Sequence, residues 1–290
     1  MITDNRPADQ QRSRLTGIAY FWRVYRANLR MATSLMAQYR FAILIWAIWG
    51  FVGPLISLAV WSAATSGRGG AITNASSGVA FSRADFAAYF LIFMIFGHLT
   101  MSWDAFEFAW RVRDGSLSPR LLKPLHPIHT DAAYNISFKL LTSLMVLPAW
   151  VLLFVLLRPT MPTSWASALL AVPALLLAGV IRYVWQYSLA VVAFWTTRVE
   201  ALNQLFFTVD SFLSGRIAPL ALLPGWMGVA AWYSPFRSMG AFPVELFLGR
   251  VAGADVLPGF ALQALWLATG VVLLRFLWAA GIRQYSAVGA

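Results

Sequence analysis

Three small groups of residues in this 290-residue chain have types and spacings that could carry chemistry. His126, His129 and Asp131 offer imidazole and carboxylate donors within one short stretch. Pro127 interrupts a helical i, i+3 presentation, no further ligand cluster accompanies them, and cysteine is absent. Metal binding therefore gives way to helix-capping or interfacial roles. His98, Asp104 and Glu107 lie three to six residues apart in an apolar run, where ionisable groups face a cavity or a partner by default. Asp104 and Glu107 could equally reach the interface near Arg111. Arg182 lies deep in another run beside Tyr183, Trp185 and Gln186, too central to snorkel easily, so it pairs with a carboxylate or faces a substrate path. Asp210 is its natural partner.

Catalytic signatures are missing. No Ser/His/Asp spacing, H-E-x-x-H or glycine-rich phosphate loop occurs. The two lysines, Lys123 and Lys139, do not follow glycine, which excludes a Walker A loop. Any ATP that drives this protein must be bound by another polypeptide.

The elements that must position these residues are membrane spans. Hydrophobic residues make up 60% of the chain and charged residues 11%, about half the charged share of a soluble domain. Apolar runs of about 20 residues recur along the length. We read an all-α integral membrane fold with six spans: 41–64, 86–106, 140–157, 166–195, one starting near Ala201, and 260–280. Residues 1–40 are read as a cytoplasmic tail and an interfacial helix, and 41–290 as a single integral membrane domain. Pro173 and Gly179 should tilt or kink the fourth span. After Gly215, the breaks at Pro219, Pro224 and Pro235 in a stretch that stays apolar through Trp226 and Trp232 suit a broken, re-entrant or interfacial hairpin.

Orientation follows from the basic residues in short loops. The first 40 residues hold seven arginines, and the second-to-third connection holds Arg111, Arg113, Arg120 and Lys123. The connection after the first span holds Arg68 and Arg83, and that after the third only Arg158. This places both termini and the Arg111 segment in the cytoplasm, and the net charge of +11 reads as topology rather than nucleic-acid binding. Between Ile18 and Arg40, apolar residues alternate with Arg23, Arg26, Arg30 and Arg40, which suits a basic amphipathic helix on the inner leaflet. No cleavable signal peptide is expected.

The chain resembles a permease of the ATP-binding cassette type-2 class, in its bacterial branch. The resemblance rests on G-S-L-S-P-R-L-L-K-P-L-H-P at Gly115 to Pro127, F-L-S-G-R-I-A-P-L-A-L-L-P-G-W at Phe212 to Trp226, and Y-S-P-F-R-S-M-G-A-F-P-V-E-L-F-L-G-R at Tyr233 to Arg250. Their order and the span spacing extend it over almost the whole chain. It departs at Arg216, where relatives often carry a less charged residue. The resemblance implies a half-transporter in the bacterial cytoplasmic membrane that exports an amphipathic or lipophilic substrate. Two membrane subunits, identical or related, would each rest on a soluble ATPase, and ATP and magnesium would sit on those ATPases. It implies a coupling helix from Asp114 to Lys123, with Arg111, Arg113, Asp114, Gly115, Leu117, Ser118, Leu121, Leu122 and Lys123 as the coupling set. The elbow helix precedes the first span, and an external re-entrant hairpin involves Gly215, Pro219, Pro224 and Trp226. His98, Arg182 and Asp210 remain the candidates for a substrate path or intramembrane pairing. An ion-coupled secondary transporter would need more midplane charge than Arg182 and Asp210, and a membrane-embedded transferase would have to use His98 with Asp104 and Glu107.

Overall fold

The computed structural model describes residues 17–285, apart from 68, 75–77, 124, 197 and 252. The expected tail before residue 17 and the carboxyl end after residue 285 lie outside the described residues. Helix α1 (Gly17–Gln38) turns Arg23, Arg26 and Arg30 outward and buries Ala32. It packs along α6 (Pro127–Leu157), where Thr33 Oγ1 donates to Ser137 Oγ at 3.1 Å. Helix α2 (Arg40–Ser66) packs against α3 (Arg83–Thr100). Between them lies a two-stranded hairpin absent from the sequence expectation: β1 (Ala71–Thr73) runs antiparallel to β2 (Ala80–Ser82), with Ile72 opposite Phe81. These inward-facing residues join an aromatic core with Phe86, Tyr89 and Phe90, and a reciprocal Ser82–Asp85 cap starts α3.

The second span is discontinuous. Its apolar stretch, Arg83–Arg113, breaks at Met101–Trp103 before α4 (Asp104–Arg113). Neither Pro nor Gly lies there; Ser102 Oγ instead donates to Asp104 Oδ2 at 2.6 Å, a local bond that competes with helix continuation. The short α5 (Ser118–Leu121) leads into α6, which starts at Pro127 rather than near Leu140 and reaches 31 residues. Proline at the first helical position sacrifices no helical hydrogen bond, and so the span extends well past the apolar run.

Helix α7 (Trp165–Val191) is helical throughout despite Pro173 and Gly179. It forms the centre of the molecule, with α4, α11 (Ala241–Phe247) and α12 (Gly253–Gly281) packed on it. Helix α8 (Val199–Leu213) has 15 residues, or roughly 22 Å at 1.5 Å per residue, against about 30 Å of hydrocarbon. Among the described residues, five stretches are long and apolar enough to cross a membrane, and α8 is not one of them. The proline-rich segment after it folds into α9 (Gly225–Tyr233), α10 (Pro235–Met239) and α11. Outward faces are apolar, with Leu144 70% and Val155 63% exposed, as lipid contact demands.

Candidate functional site

Asp131, buried in the first turns of α6, gathers the segment between the second and third spans. Arg111 Nη1 donates to both its carboxylate oxygens at 2.8 Å, and Arg120 Nη1 to Oδ1 at 2.9 Å. Tyr187 of α7 donates its hydroxyl to Oδ2 at 3.1 Å. Arg111 Nη2 also reaches Glu107 at 2.7 Å, so two guanidiniums face two carboxylates. A buried charge set is tolerated when paired and hydrogen-bonded to this degree. One residue thereby ties together α4, α5, α6 and α7.

The expected coupling residues divide between two faces. Arg111 and Leu117 point inward and are buried in this chain, so neither offers a surface to an ATPase. Leu117 packs with Phe108 and Tyr187, Leu121 lies against that cluster, and Ser118 Oγ is 2.8 Å from the Tyr285 hydroxyl. Arg113, Asp114, Leu122 and Lys123 face outward, and Leu122 is 88% exposed. Arg113 reaches Glu200 of α8 at 2.8 Å. Asp114 Oδ1 accepts the Ser116 backbone N–H at 3.0 Å and its hydroxyl at 2.7 Å, which holds the carboxyl below its ordinary range. Gly115 follows at φ +78°, a turn that a side chain would strain. The helix itself is a single turn, shorter than Asp114 to Lys123.

The intramembrane candidates fall into separate sites. Arg182 Nη1 lies 3.1 Å from Asp210 Oδ1, both buried, and Arg182 Nη2 donates to the Met239 carbonyl at 3.3 Å. Arg216 supplies a second cation to Asp210 at 3.3 Å, a partner the sequence reading did not assign. His98 Nε2 meets Thr142 Oγ1 at 2.8 Å, Asp104 is bonded by Ser102 and Asn135, and Glu107 by Trp103 and Arg111. The three do not converge on one another. Of the suspected metal trio, His126 Nδ1 accepts the Ile128 N–H at 3.2 Å and caps α6, while Asp131 is filled by its three donors. Among the described residues, no cluster of histidines and carboxylates is placed to share a metal.

At the opposite end, Gly215 adopts φ +86° and passes so close to Tyr89 that a Cβ would overlap the hydroxyl, which donates to the Gly215 carbonyl at 3.0 Å. Gly240, between α10 and α11, permits a similar approach, since a Cβ there would lie 2.6 Å from the Ser214 carbonyl oxygen. The loop beyond is strapped down: Trp61 Nε1 donates to the Ile217 carbonyl at 2.8 Å, and Asn74 Nδ2 to that of Ala221 at 2.7 Å. Pro219 is buried, whereas Pro224 and Trp226 are exposed, Trp226 by 74%.

The sequence model of the ABC-2 family transporter proteins matches residues 74–289. The chain belongs to the ABC-2 transporter family. The matched region takes in the Asp131 clamp, the Arg182–Asp210 pair and the short helices before α12. The protein is thus a multi-pass membrane permease, the transport subunit of an ATP-binding cassette transporter, and membership implies partnership with an ATPase subunit of that class. No curated protein matches this permease.

Proposed function

We propose that this permease is one of two membrane subunits, identical or related, of a bacterial exporter that moves an amphipathic or lipophilic molecule across the cytoplasmic membrane. Two soluble ATPases bind ATP and magnesium and supply the work. The observation that carries this reading is the two-faced segment at residues 111–123: one face clamped to Asp131, the other bare at Leu122 and Lys123. A rigid mount with an unpartnered apolar tip suits transmission of force from a second protein. Closure of the ATPases would push on Leu122, and the Asp131 clamp would pass that displacement to α6 and α7.

Six spans are retained in this proposal, with α8 as a short fifth span and residues 219–235 as an external re-entrant hairpin. Both termini then lie in the cytoplasm. Gln204, exposed on α8, supports a second subunit, because a polar side chain at membrane depth needs protein or water beside it. The bonding of the one Asp210 carboxylate by both Arg182 and Arg216 argues for an internal brace rather than an ion-coupling site.

The test is uptake of an amphipathic dye into inside-out vesicles carrying the permease and its ATPase. ATP-dependent accumulation abolished by a non-hydrolysable analogue is expected. Accumulation driven by a proton or sodium gradient without ATP would overturn the proposal.

A further inference from the structure

A cavity of about 740 Å³ opens at the end of the molecule away from the Asp131 clamp, between the β-hairpin, α9 and the start of α12. Its size is that of a small-molecule site. One face of α9 forms a wall with Gly225, Gly228, Val229 and Trp232, and Phe81 and Tyr233 add aromatic surface. A side chain at Gly228 would meet nothing within 4 Å, so the glycine leaves open space there.

The charges decide what fits. Four charged residues line the cavity: Arg237, Glu245, Arg250 and Asp255. Arg237, only 4% exposed, pairs with Glu245 at 3.0 Å and lies 3.8 Å from the centre of the Trp232 ring. Arg250 is neutralised from behind by Asp85 at 2.7 Å and lies 4.1 Å from the centre of the Phe81 ring. Asp255, partly buried in the first turn of α12, has no ion pair among the described residues. The balance is one unmatched negative charge among aromatic and aliphatic walls. Such a lining attracts a cation and also rewards burial of an apolar body.

We infer that this cavity is a binding site for a lipophilic organic cation, with Asp255 as its counter-charge and the α9 face as its apolar bed. The site belongs to a single chain and asks nothing of an ATPase or a second subunit. It therefore stands or falls separately from the exporter proposal.

Titration calorimetry of the full chain in nanodiscs, with empty nanodiscs subtracted, tests this with two probes of matched shape and opposite charge, tetraphenylphosphonium and tetraphenylborate. Titrated in separate samples, the cation should bind and the anion should not. Asp255→Asn should weaken the cation about tenfold, the equivalent of 1.4 kcal/mol, and Gly228→Leu should remove binding by filling the bed. Both variants should elute as the unaltered chain does on size exclusion. Absence of heat above empty nanodiscs, equal binding of the two ions, or cation binding that survives both substitutions would overturn the assignment.

Discussion

Arg111 and Asp131, twenty residues apart in sequence, meet through one guanidinium nitrogen that donates to both carboxylate oxygens at 2.8 Å. Both side chains are buried, so the pair cannot be relaxed by water. Asp131→Ala leaves Arg111 with Glu107 alone and strips Arg120 and Tyr187 of their acceptor, and should cost about 3–5 kcal/mol. Thermal unfolding of the solubilised permease measures this. Replacing both, as Arg111→Met with Asp131→Leu, should recover much of the stability while transport stays impaired, because Arg120 and Tyr187 lose their anchor as well.

The Arg182–Asp210 pair makes a parallel case inside the spans. Asp210→Asn leaves Arg182 and Arg216 without their shared anion and should destabilise the protein by about 3–5 kcal/mol. The melting temperature of that variant checks the magnitude. Arg216, 36% exposed at its side chain, should matter less, and Arg216→Gln should shift melting by less than Arg182→Gln.

Much of this architecture was legible in the sequence, because a bilayer imposes long apolar runs that periodicity and composition reveal directly. The break at Met101–Trp103 was not, since no proline or glycine marks it and the cause is a Ser102–Asp104 side-chain bond. The start of α6 was missed because its first turns are polar, holding His129, Asp131 and Asn135 against neighbouring helices rather than against lipid. The role of Arg111 was hidden for the same reason: its partner is set by how α4 meets α6, and a cytoplasmic arginine reads as a topology signal either way. The Asp131 clamp did leave a trace, namely a carboxylate close behind a run of four basic residues.

His126 caps α6 only as neutral imidazole, because protonation removes the Nδ1 lone pair that accepts the Ile128 N–H. Partial desolvation, followed by the neighbouring His129, lowers its pKa below the usual 6.5, with the Trp278 ring at 4.2 Å. A depressed folded-state pKa means the cap's contribution is present above 6.5 and is lost as pH falls through the lower folded value. The protection factor of the Ile128 amide, its exchange rate relative to the intrinsic rate at each pH, should fall on acidification below that point, and His126→Asn should keep the amide protected across the range.

Gly215 combines a positive φ with a Tyr89 hydroxyl where a side chain would begin. Gly215→Ala should destabilise by more than the roughly 1–3 kcal/mol that strain alone costs. Tyr89→Phe should remove only the hydrogen bond, about 1 kcal/mol. Melting temperatures of the two variants give the order.

We propose that the outward face of residues 113–123 seats an ATPase while the inward face is locked to α6. The chain contains no cysteine, so a single introduced thiol reports one position without background. Leu122→Cys, at a residue 88% exposed, should cross-link to an ATPase carrying one surface cysteine in its membrane-facing groove. Leu117→Cys, buried against Phe108 and Tyr187, should not. Cross-linking at Leu122 alone is the predicted result; none at Leu122, or equal yields at both positions, would contradict the account.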